Sequence, residues 1–370
     1  MTTAIDKATL IDWLGDGAEL AILDIRPPEE VGPYGLPLVA TNLPAERLDA
    51  ELDRFVPRRG VRTVLVDAGD GAARQAVDRL SAGGWTGLRH LEGGIPAWTD
   101  GGADGLPTFD TLGVVFSGRI RDEKRTPVVT AAELKAARDA GEDVVVLDSR
   151  TLPEFAANHV PGAIGVPGAE LLLRFADVVP SPATRVVVSC AGLPRAIIGA
   201  QTLIDAGVPN PVAYLHDGTR GWTEAGLALE EGAHAVFGPA SDRARAFARD
   251  HLARLAADDS FPLIDPATAA SWSRDPDRTT YLLDVRTPDE FAASHLPGAI
   301  SSEGGQLLGL AIRTIAVRGA RVVLIDDQLG VRARTVAHWL QRRGYEIALL
   351  LHDFAGEARE STPEVNLATQ

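Results

Sequence analysis

The chain repeats one pattern of residues three times, and this repeat limits the folds open to it more than any other feature. A short apolar run ending in Asp-x-Arg occurs at residues 21–26, 144–150 and 281–286. A second apolar run follows each of them at the same distance, within one residue, at residues 63–67, 186–190 and 322–326. Two landmarks therefore fix the register of the three copies.

Each second run leads into a stretch with helical periodicity that ends in glycine, and then into a third apolar run. The helical stretches are residues 73–84, 194–207 and 333–344. Short β-branched runs that alternate with helices predict parallel strands covered by helices on both faces of the sheet. We therefore expect an α/β protein of three tandem modules, each a small, mainly parallel sheet with helices on both faces.

The expected module boundaries follow from where the repeated pattern stops. They place the modules at residues 1–104, 128–231 and 260–356, with a linker helix inside 241–259 and a mobile polar tail at 357–370. A length of 370 residues agrees with this division, because single cores rarely grow beyond about 250 to 300 residues.

Composition excludes several classes of function. A net charge of -15 without a basic patch argues against nucleic acid as a partner. No apolar stretch approaches the roughly 18 residues that a membrane span requires, so no membrane association is expected. The first residues resemble no signal peptide, and a single cysteine forms no disulfide within the chain, so we expect a cytoplasmic protein.

Cys190 is that single cysteine, and it stands where the second apolar run of the middle module ends and the helical stretch begins. A thiol in such a turn faces backbone N–H groups at a helix N-terminus, which favour the thiolate. The alternative is an inert, buried small hydrophobe, the commoner state of free cysteine. Its position makes a reactive thiol the leading interpretation.

The Asp-x-Arg strands, the Glu-Phe-x-x-x-His-x-Pro-Gly-Ala run and the strand ending in cysteine together resemble the rhodanese superfamily. The resemblance covers nearly the whole chain, and it is closest to multi-module sulfurtransferases in which one module carries the cysteine. It implies that Cys190 accepts a sulfane sulfur as a persulfide and that Arg195 binds the anionic donor. The substrate-binding loop would then be Ala191, Gly192, Leu193 and Pro194.

The loop from Cys190 to Arg195 has the six-residue length that accompanies sulfur transfer in this superfamily, whereas the related phosphatases use seven residues. Leu193 stands where glycine is usual, and the loop matches neither the thiosulfate type nor the mercaptopyruvate type. In two-module relatives a second arginine often follows the Asp-x-Arg motif, but Glu154 occupies that position here. The donor is therefore left open.

Three further polar residues of the middle module are interpreted as structural supports. Asp148 and Arg150 are expected to form a buried ion pair that braces the loops rather than acts on substrate. His159 is expected to be a hydrogen-bonded structural residue, because attack by a thiolate needs no base.

The first and third modules carry Asp67 and Asp326 where the middle module has cysteine. A carboxylate cannot hold a transferable sulfur, but it can accept N–H bonds at the start of the following helix. These modules are expected to be structural or regulatory, either walling the Cys190 pocket or docking a protein. A metal or phosphoaspartate site at Asp326 and Asp327 is the weaker interpretation, and no metal or other cofactor is expected.

The sequence thus predicts a sulfurtransferase that moves sulfur from a small donor, of the thiosulfate or mercaptopyruvate class, to a thiol or cyanide acceptor. A sulfur-accepting protein is a further expected partner. One alternative is a persulfide carrier with little turnover of small molecules. Another is an interaction scaffold, which would require Cys190 to be buried and unreactive.

Overall fold

The computed structural model describes residues 3–31, 40–99, 113–257 and 259–354, and the expected tail at 357–370 lies outside them. The described chain forms three mainly parallel sheets flanked by helices, as the repeat predicts. One 3-10 turn also lies in each module, at Ala45–Arg47, Gly168–Glu170 and Ala311–Arg313.

The helices and strands follow the repeated order. The first module contains β1 Ala4–Ile5, α1 Lys7–Gly15, β2 Leu20–Asp24, α2 Pro28–Val31, β3 Thr41–Asn42, α3 Leu48–Phe55, β4 Arg62–Val66, α4 Ala72–Ala82, β5 Leu88–Leu91 and α5 Gly94–Thr99, followed by α6 Gly113–Lys124. The second contains β6 Val128–Val129, α7 Ala131–Asp139, β7 Val144–Asp148, α8 Leu152–Ala157, β8 Ile164–Gly165, α9 Leu171–Val178, β9 Arg185–Ser189, α10 Pro194–Asp205, β10 Val212–Leu215 and α11 Gly218–Glu224, followed by α12 Asp242–Leu255. The third contains α13 Pro266–Ser273, β11 Thr280–Asp284, α14 Pro288–Ala293, β12 Ile300–Ser301, α15 Gly304–Leu310, β13 Val317–Arg318, β14 Arg321–Asp326, α16 Val331–Arg342 and β15 Glu346–Leu351.

The sheet of the second module has the strand order β6-β10-β9-β7-β8, and all of its strands are parallel. Strand β9 lies in the middle, and its Val186, Val187 and Val188 are fully buried. Both faces of this strand are covered, which explains why its sequence is a continuous apolar run rather than an alternating one. Asp148 pairs in register with Ser189, so β7 and β9 end side by side.

Local signals in the sequence set the helix ends. Thr151 and Glu154 form a capping box at the start of α8, and Thr287 and Glu290 form the same box at α14. After the C-terminal end of α10, Gly207 adopts a φ of 70°, which only glycine takes up readily. The predicted helical stretch therefore stops where its glycine is placed.

The three modules share their cores. Strand β13 of the third module pairs antiparallel with β2 of the first, so the first sheet is completed by a distant part of the chain. The hydroxyl of Tyr281 donates to the carbonyl of Phe55 and accepts from the amide of Val317. The expected linker helix is α12, and it packs on α9 and α16. A middle module cut out at residues 128–231 would therefore expose apolar surface that its neighbours bury.

Candidate active site

Cys190 follows directly after β9, at the carboxyl edge of the second sheet, and α10 begins four residues later at Pro194. Proline suits the first turn of a helix because its missing N–H would have no partner there. Open α/β sheets bind ligands beyond the carboxyl ends of their strands, at such strand-to-helix turns. The predicted position of the thiol is therefore confirmed.

Two features of the turn act on the sulfur in opposite directions. Cys190 is 1% exposed, and it belongs to the buried core of the module together with Val188, Ala196 and Ile197. The amide of Gly192 donates a hydrogen bond to Sγ at 3.4 Å, and the amide of Ala196 also interacts with it. Burial disfavours the thiolate, whereas amides at a helix N-terminus favour it.

Burial is the stronger of these effects, and it raises the pKa of the Cys190 thiol. The Arg195 charge and the amides of Gly192 and Ala196 lower this pKa, but by less, and Asp148 raises it slightly. Burial thus opposes the thiolate that the sequence predicts, while Arg195 and the two amides favour it, so a reactive thiolate at Cys190 stays a prediction. The loop sequence alone does not reveal this burial.

Arg195 points its guanidinium into an ion pair with Glu154. Nη1 lies 2.7 Å from Oε2 and Nη2 lies 2.8 Å from Oε1, so the pair is bidentate. The side chain of Arg195 is 11% exposed and that of Glu154 is 36% exposed. Arginine holds the pKa of the Glu154 carboxyl at about 2, although burial opposes this shift. An anionic donor would have to share Arg195 with this carboxylate.

The third module reaches the same pair through Gln306 of α15. The amide oxygen of Gln306 accepts from Nη1 of Arg195 at 3.4 Å, and its nitrogen donates to Oε2 of Glu154 at 3.2 Å. Sequence reasoning missed this residue. Gln306 corresponds in the repeat to Glu170, but the structure alone shows that both residues lie at the interface between the modules.

Asp148 and Arg150 form the expected buried ion pair beneath the loop. Nη2 of Arg150 lies 2.8 Å from Oδ2 of Asp148, and their side chains are 4% and 0% exposed. The neighbouring Ser149 donates both its amide and its hydroxyl to the carbonyl of Ser189, at 2.9 and 2.8 Å. These contacts tie together the ends of the two strands that carry the site.

His159 follows the end of α8, and its ring contacts Phe155 and Glu230. Its Nδ1 is 2.9 Å from the carbonyl of Phe155, and its ring stacks on the Phe155 ring. Its Nε2 lies 3.5 Å from a carboxylate oxygen of Glu230. The buried ring is thus held by neighbours other than Cys190, in agreement with the structural interpretation.

The aspartates that replace the cysteine accept N–H bonds from the following helices, as predicted. The carboxylate of Asp67 accepts from the amides of Gly69 and Ala73 at 2.9 and 2.8 Å. The carboxylate of Asp326 accepts from the amide of Ala333 at 3.0 Å and from Nε of Arg332 at 2.8 Å. A carboxylate therefore satisfies the same helix N-terminus that meets the sulfur in the middle module.

Neither a metal site nor a membrane-spanning helix is found in the described ranges of residues. No group of three or more His, Cys, Asp or Glu side chains there is arranged to hold a metal ion. No helix within those ranges is both long and apolar enough to cross a membrane.

A strand–loop–helix cradle around one cysteine, repeated with aspartate in two flanking modules, defines the class of protein. The chain belongs to the rhodanese family, because the Rhodanese-like domain model matches residues 6–100, 130–225 and 265–355.

Two known proteins show the extent of the similarity. The crystal structure of a thiosulfate sulfurtransferase from Pseudomonas aeruginosa is 40% identical, with a TM-score of 0.87 over 98% of this chain and 69% of that one. The HTH-type transcriptional regulator Rv0324 of Mycobacterium tuberculosis (strain ATCC 25618 / H37Rv) is 37% identical over 105 residues. That match spans 28% of this chain and 45% of the regulator.

Proposed function

We propose that this protein is a sulfurtransferase that accepts a sulfane sulfur on Cys190 as a persulfide and passes it to a thiophilic acceptor. The observation that carries the proposal is the placement of Cys190, the single cysteine, at the end of β9 with the amides of Gly192 and Ala196 directed at its sulfur. The flanking modules, at residues 1–104 and 260–356, are proposed to be non-catalytic, and residues 128–231 to be catalytic.

The first half-reaction forms the persulfide. With thiosulfate as donor, the Cys190 thiolate attacks the outer sulfur, the bond between the two donor sulfurs breaks, and sulfite leaves with the electron pair. The proton of the thiol passes to solvent before attack. The amides of Gly192 and Ala196 stabilise the negative charge on the persulfide, and Arg195 stabilises the charge on the leaving sulfite.

The second half-reaction empties the site. The carbon of cyanide, or the sulfur of a thiolate, attacks the outer sulfur of the persulfide, and Cys190 departs as a thiolate. Thiocyanate or a new persulfide leaves. No oxidant or reductant is needed, because sulfur is transferred as a neutral atom: each S–S bond that breaks leaves its electron pair on sulfite or on Cys190, and the attacking nucleophile supplies the pair for the new bond.

The donor class is the part of the proposal that the loop sequence leaves open. Similarity to the thiosulfate sulfurtransferase from Pseudomonas aeruginosa favours thiosulfate as the donor. The uncharged loop residues Ala191 to Pro194, and the engagement of Arg195 by Glu154, weaken the binding of a dianion. We therefore propose that the donor is a small anion of the thiosulfate or mercaptopyruvate class. We also propose that the protein acts in the cytoplasm.

The direct test is steady-state formation of thiocyanate by the full chain from thiosulfate, or from mercaptopyruvate, with cyanide as acceptor. We expect turnover by the wild type and none by Cys190→Ala. Cys190→Ser is the matched control, because it keeps the size of the side chain and removes the sulfur. Turnover that survives in both variants would refute the proposal.

A persulfide carrier is the second candidate, since the same Cys190 geometry would serve it. It predicts little thiocyanate from any small donor, but a Cys190 persulfide when a cysteine desulfurase supplies the sulfur. An interaction scaffold predicts a Cys190 that resists alkylation in the folded protein at every pH. The full chain is the right material for these assays, because the cores of the modules are continuous.

A further inference from the structure

The second and third modules face each other through corresponding residues. Glu170 and Gln306 stand at the same distance after the Pro-Gly-Ala-Ile segments of their modules. Glu170 accepts from Nη1 of Arg332 at 3.1 Å, across the interface. Gln306 accepts from Nη1 of Arg195 at 3.4 Å, across the same interface in the opposite sense. The two contacts correspond, but Glu170 is an acid that also pairs with Arg174 at 2.7 Å, whereas Gln306 is an amide and Leu310 stands at the position that corresponds to Arg174.

This difference leaves the two arginines in unlike electrostatic surroundings. Arg332 contacts the carboxylates of Asp326, Asp327, Glu170 and Glu290, and its side chain is 1% exposed. Burial lowers the pKa of Arg332, but the carboxylates of Asp326, Glu170 and Glu290 together raise it well above its usual value. Among the described residues, Arg195 is bonded to a single carboxylate, that of Glu154. Its charge is therefore less compensated than that of Arg332.

Glu303, an acidic residue of the third module at the start of α15, interacts electrostatically with Arg195. Burial and the negative charges of Glu170 and Glu154 raise the pKa of Glu303 to about 8. This shift favours the uncharged form of Glu303 near neutral pH, although the charge of Arg195 opposes it. The amide of Gln306 is the side chain of the third module that bonds directly to Arg195 within the described residues.

We propose that Gln306 is a specificity-determining residue of the Cys190 site: it contacts Arg195 without placing a second carboxylate on it, so that Arg195 keeps enough uncompensated charge to bind an anionic sulfur donor. This inference rests on the proposed sulfurtransferase function. It gives the cysteine-free third module a defined part in donor selection, because α15 supplies the neutral side of the site. It also identifies the preferred donor as an anion. The KM for a dianionic donor should be the most sensitive to a charge introduced at position 306.

The test compares two sulfane donors that differ by one charge, with cyanide as acceptor: thiosulfate, a dianion, and methanethiosulfonate, a monoanion. Gln306→Glu places a second carboxylate on Arg195, as Glu170 does on Arg332. We expect the KM for thiosulfate to rise by roughly ten-fold or more, and that for methanethiosulfonate to rise less, since the repulsion scales with donor charge. The kcat should change less than either KM.

Two controls separate charge from disturbance of the interface. Gln306→Met removes the hydrogen bonds without adding charge, and it should change the KM values for the two donors by the same factor. Gln341→Glu makes the same chemical change at the exposed end of α16, and it should alter neither KM. If Gln306→Glu does not fold, Gln306→Asp introduces the charge on a shorter side chain, and thermal unfolding shows which variants are intact.

The outcomes distinguish the two proposals. A folded Gln306→Glu or Gln306→Asp variant with an unchanged ratio of the two KM values would overturn the role of Gln306 and leave sulfur transfer standing. A wild type that forms no Cys190 persulfide from either donor would overturn the proposed function with these donors, and the inference with it.

Discussion

Arg195 and Glu154 form a bidentate ion pair at the mouth of the Cys190 loop, with N–O distances of 2.7 and 2.8 Å. The loop arginine, which the sequence assigns to the donor, is thus engaged by a carboxylate of its own module. The corresponding arginine of the third module, Arg332, contacts the corresponding Glu290 through a single pair of atoms, Nη1 and Oε2, at 2.6 Å. An arginine–glutamate contact therefore occurs at this position in the second and third modules, and in the middle module it competes with an anionic donor.

Glu154→Gln should lower the KM for thiosulfate. The substitution removes the carboxylate that neutralises Arg195. Glutamine has the same side-chain length, and its amide oxygen can still accept the hydrogen bond from the backbone amide of Thr151 in the capping box. We expect a decrease of roughly three- to ten-fold, measured from initial rates of thiocyanate formation. Glu290→Gln makes the matched change at Arg332 and should leave this KM unaltered. An unchanged or higher KM in folded Glu154→Gln would contradict the competition.

The reactivity of Cys190 should rise with pH and keep rising through the alkaline range. Burial raises the pKa of the thiol above its reference value of 9.0, so only a small fraction is thiolate at neutral pH. Rates of alkylation by iodoacetamide, followed by mass spectrometry, should therefore not level off below pH 9. A plateau reached below pH 8 would contradict this prediction, because it would show a thiol with a lowered pKa. Treatment with cyanide before the assay removes any persulfide already present on Cys190.

Glu303→Gln should stabilise the protein at high pH and leave it unchanged at low pH. The folded pKa of Glu303 is about 8, above the 4.5 expected for the unfolded chain, so the native state binds this proton more tightly. The contribution of Glu303 to native stability consequently falls as the pH rises from about 4.5 to about 8. The variant lacks this loss, and its free energy of unfolding should exceed that of the wild type by roughly 1 to 3 kcal/mol above pH 8.

Urea unfolding at pH 4.5, 7 and 9 measures this difference. Glu142→Gln, at an exposed position, is the control and should show little dependence on pH relative to the wild type. A Glu303→Gln variant that is equally stable to the wild type at pH 9 would show that the carboxyl group is ionised at little cost.

Arg332→Met should destabilise the fold strongly. The substitution leaves the carboxylates of Asp326, Glu170 and Glu290 close together without the cation that they share. Removal of one partner from a buried ionic cluster typically costs about 3 to 5 kcal/mol. Denaturant unfolding of the full chain measures the cost, and Arg220→Met, at a side chain that is 61% exposed, should change stability by less than about 1 kcal/mol. A loss below about 1 kcal/mol for Arg332→Met would mean that the cluster contributes little.

The parts of the structure that are local in sequence were predictable from the sequence. Apolar runs predicted strands such as β9, a glycine predicted the end of α10, and Asp67 and Asp326 accept helix N–H bonds as expected. Each depends on residues close together in the chain, where propensity and hydrogen bonding act directly.

Contacts between modules were not predictable in the same way. The pairing of β13 with β2, and the approach of Gln306 to Arg195, join residues far apart in sequence that no local pattern marks. The raised pKa of Cys190 has the same origin, because it depends on how completely the folded module buries the sulfur. Packing decides these features, and a loop motif alone carries no record of it.

The most direct test of the central claim is the mass of the intact protein after incubation with thiosulfate and removal of the excess. Sulfur transfer through Cys190 predicts that the wild type gains the mass of one sulfur atom, loses it on addition of cyanide, and that Cys190→Ser gains none. A wild type that gains no sulfur, or a Cys190→Ser variant that gains as much, would contradict the claim.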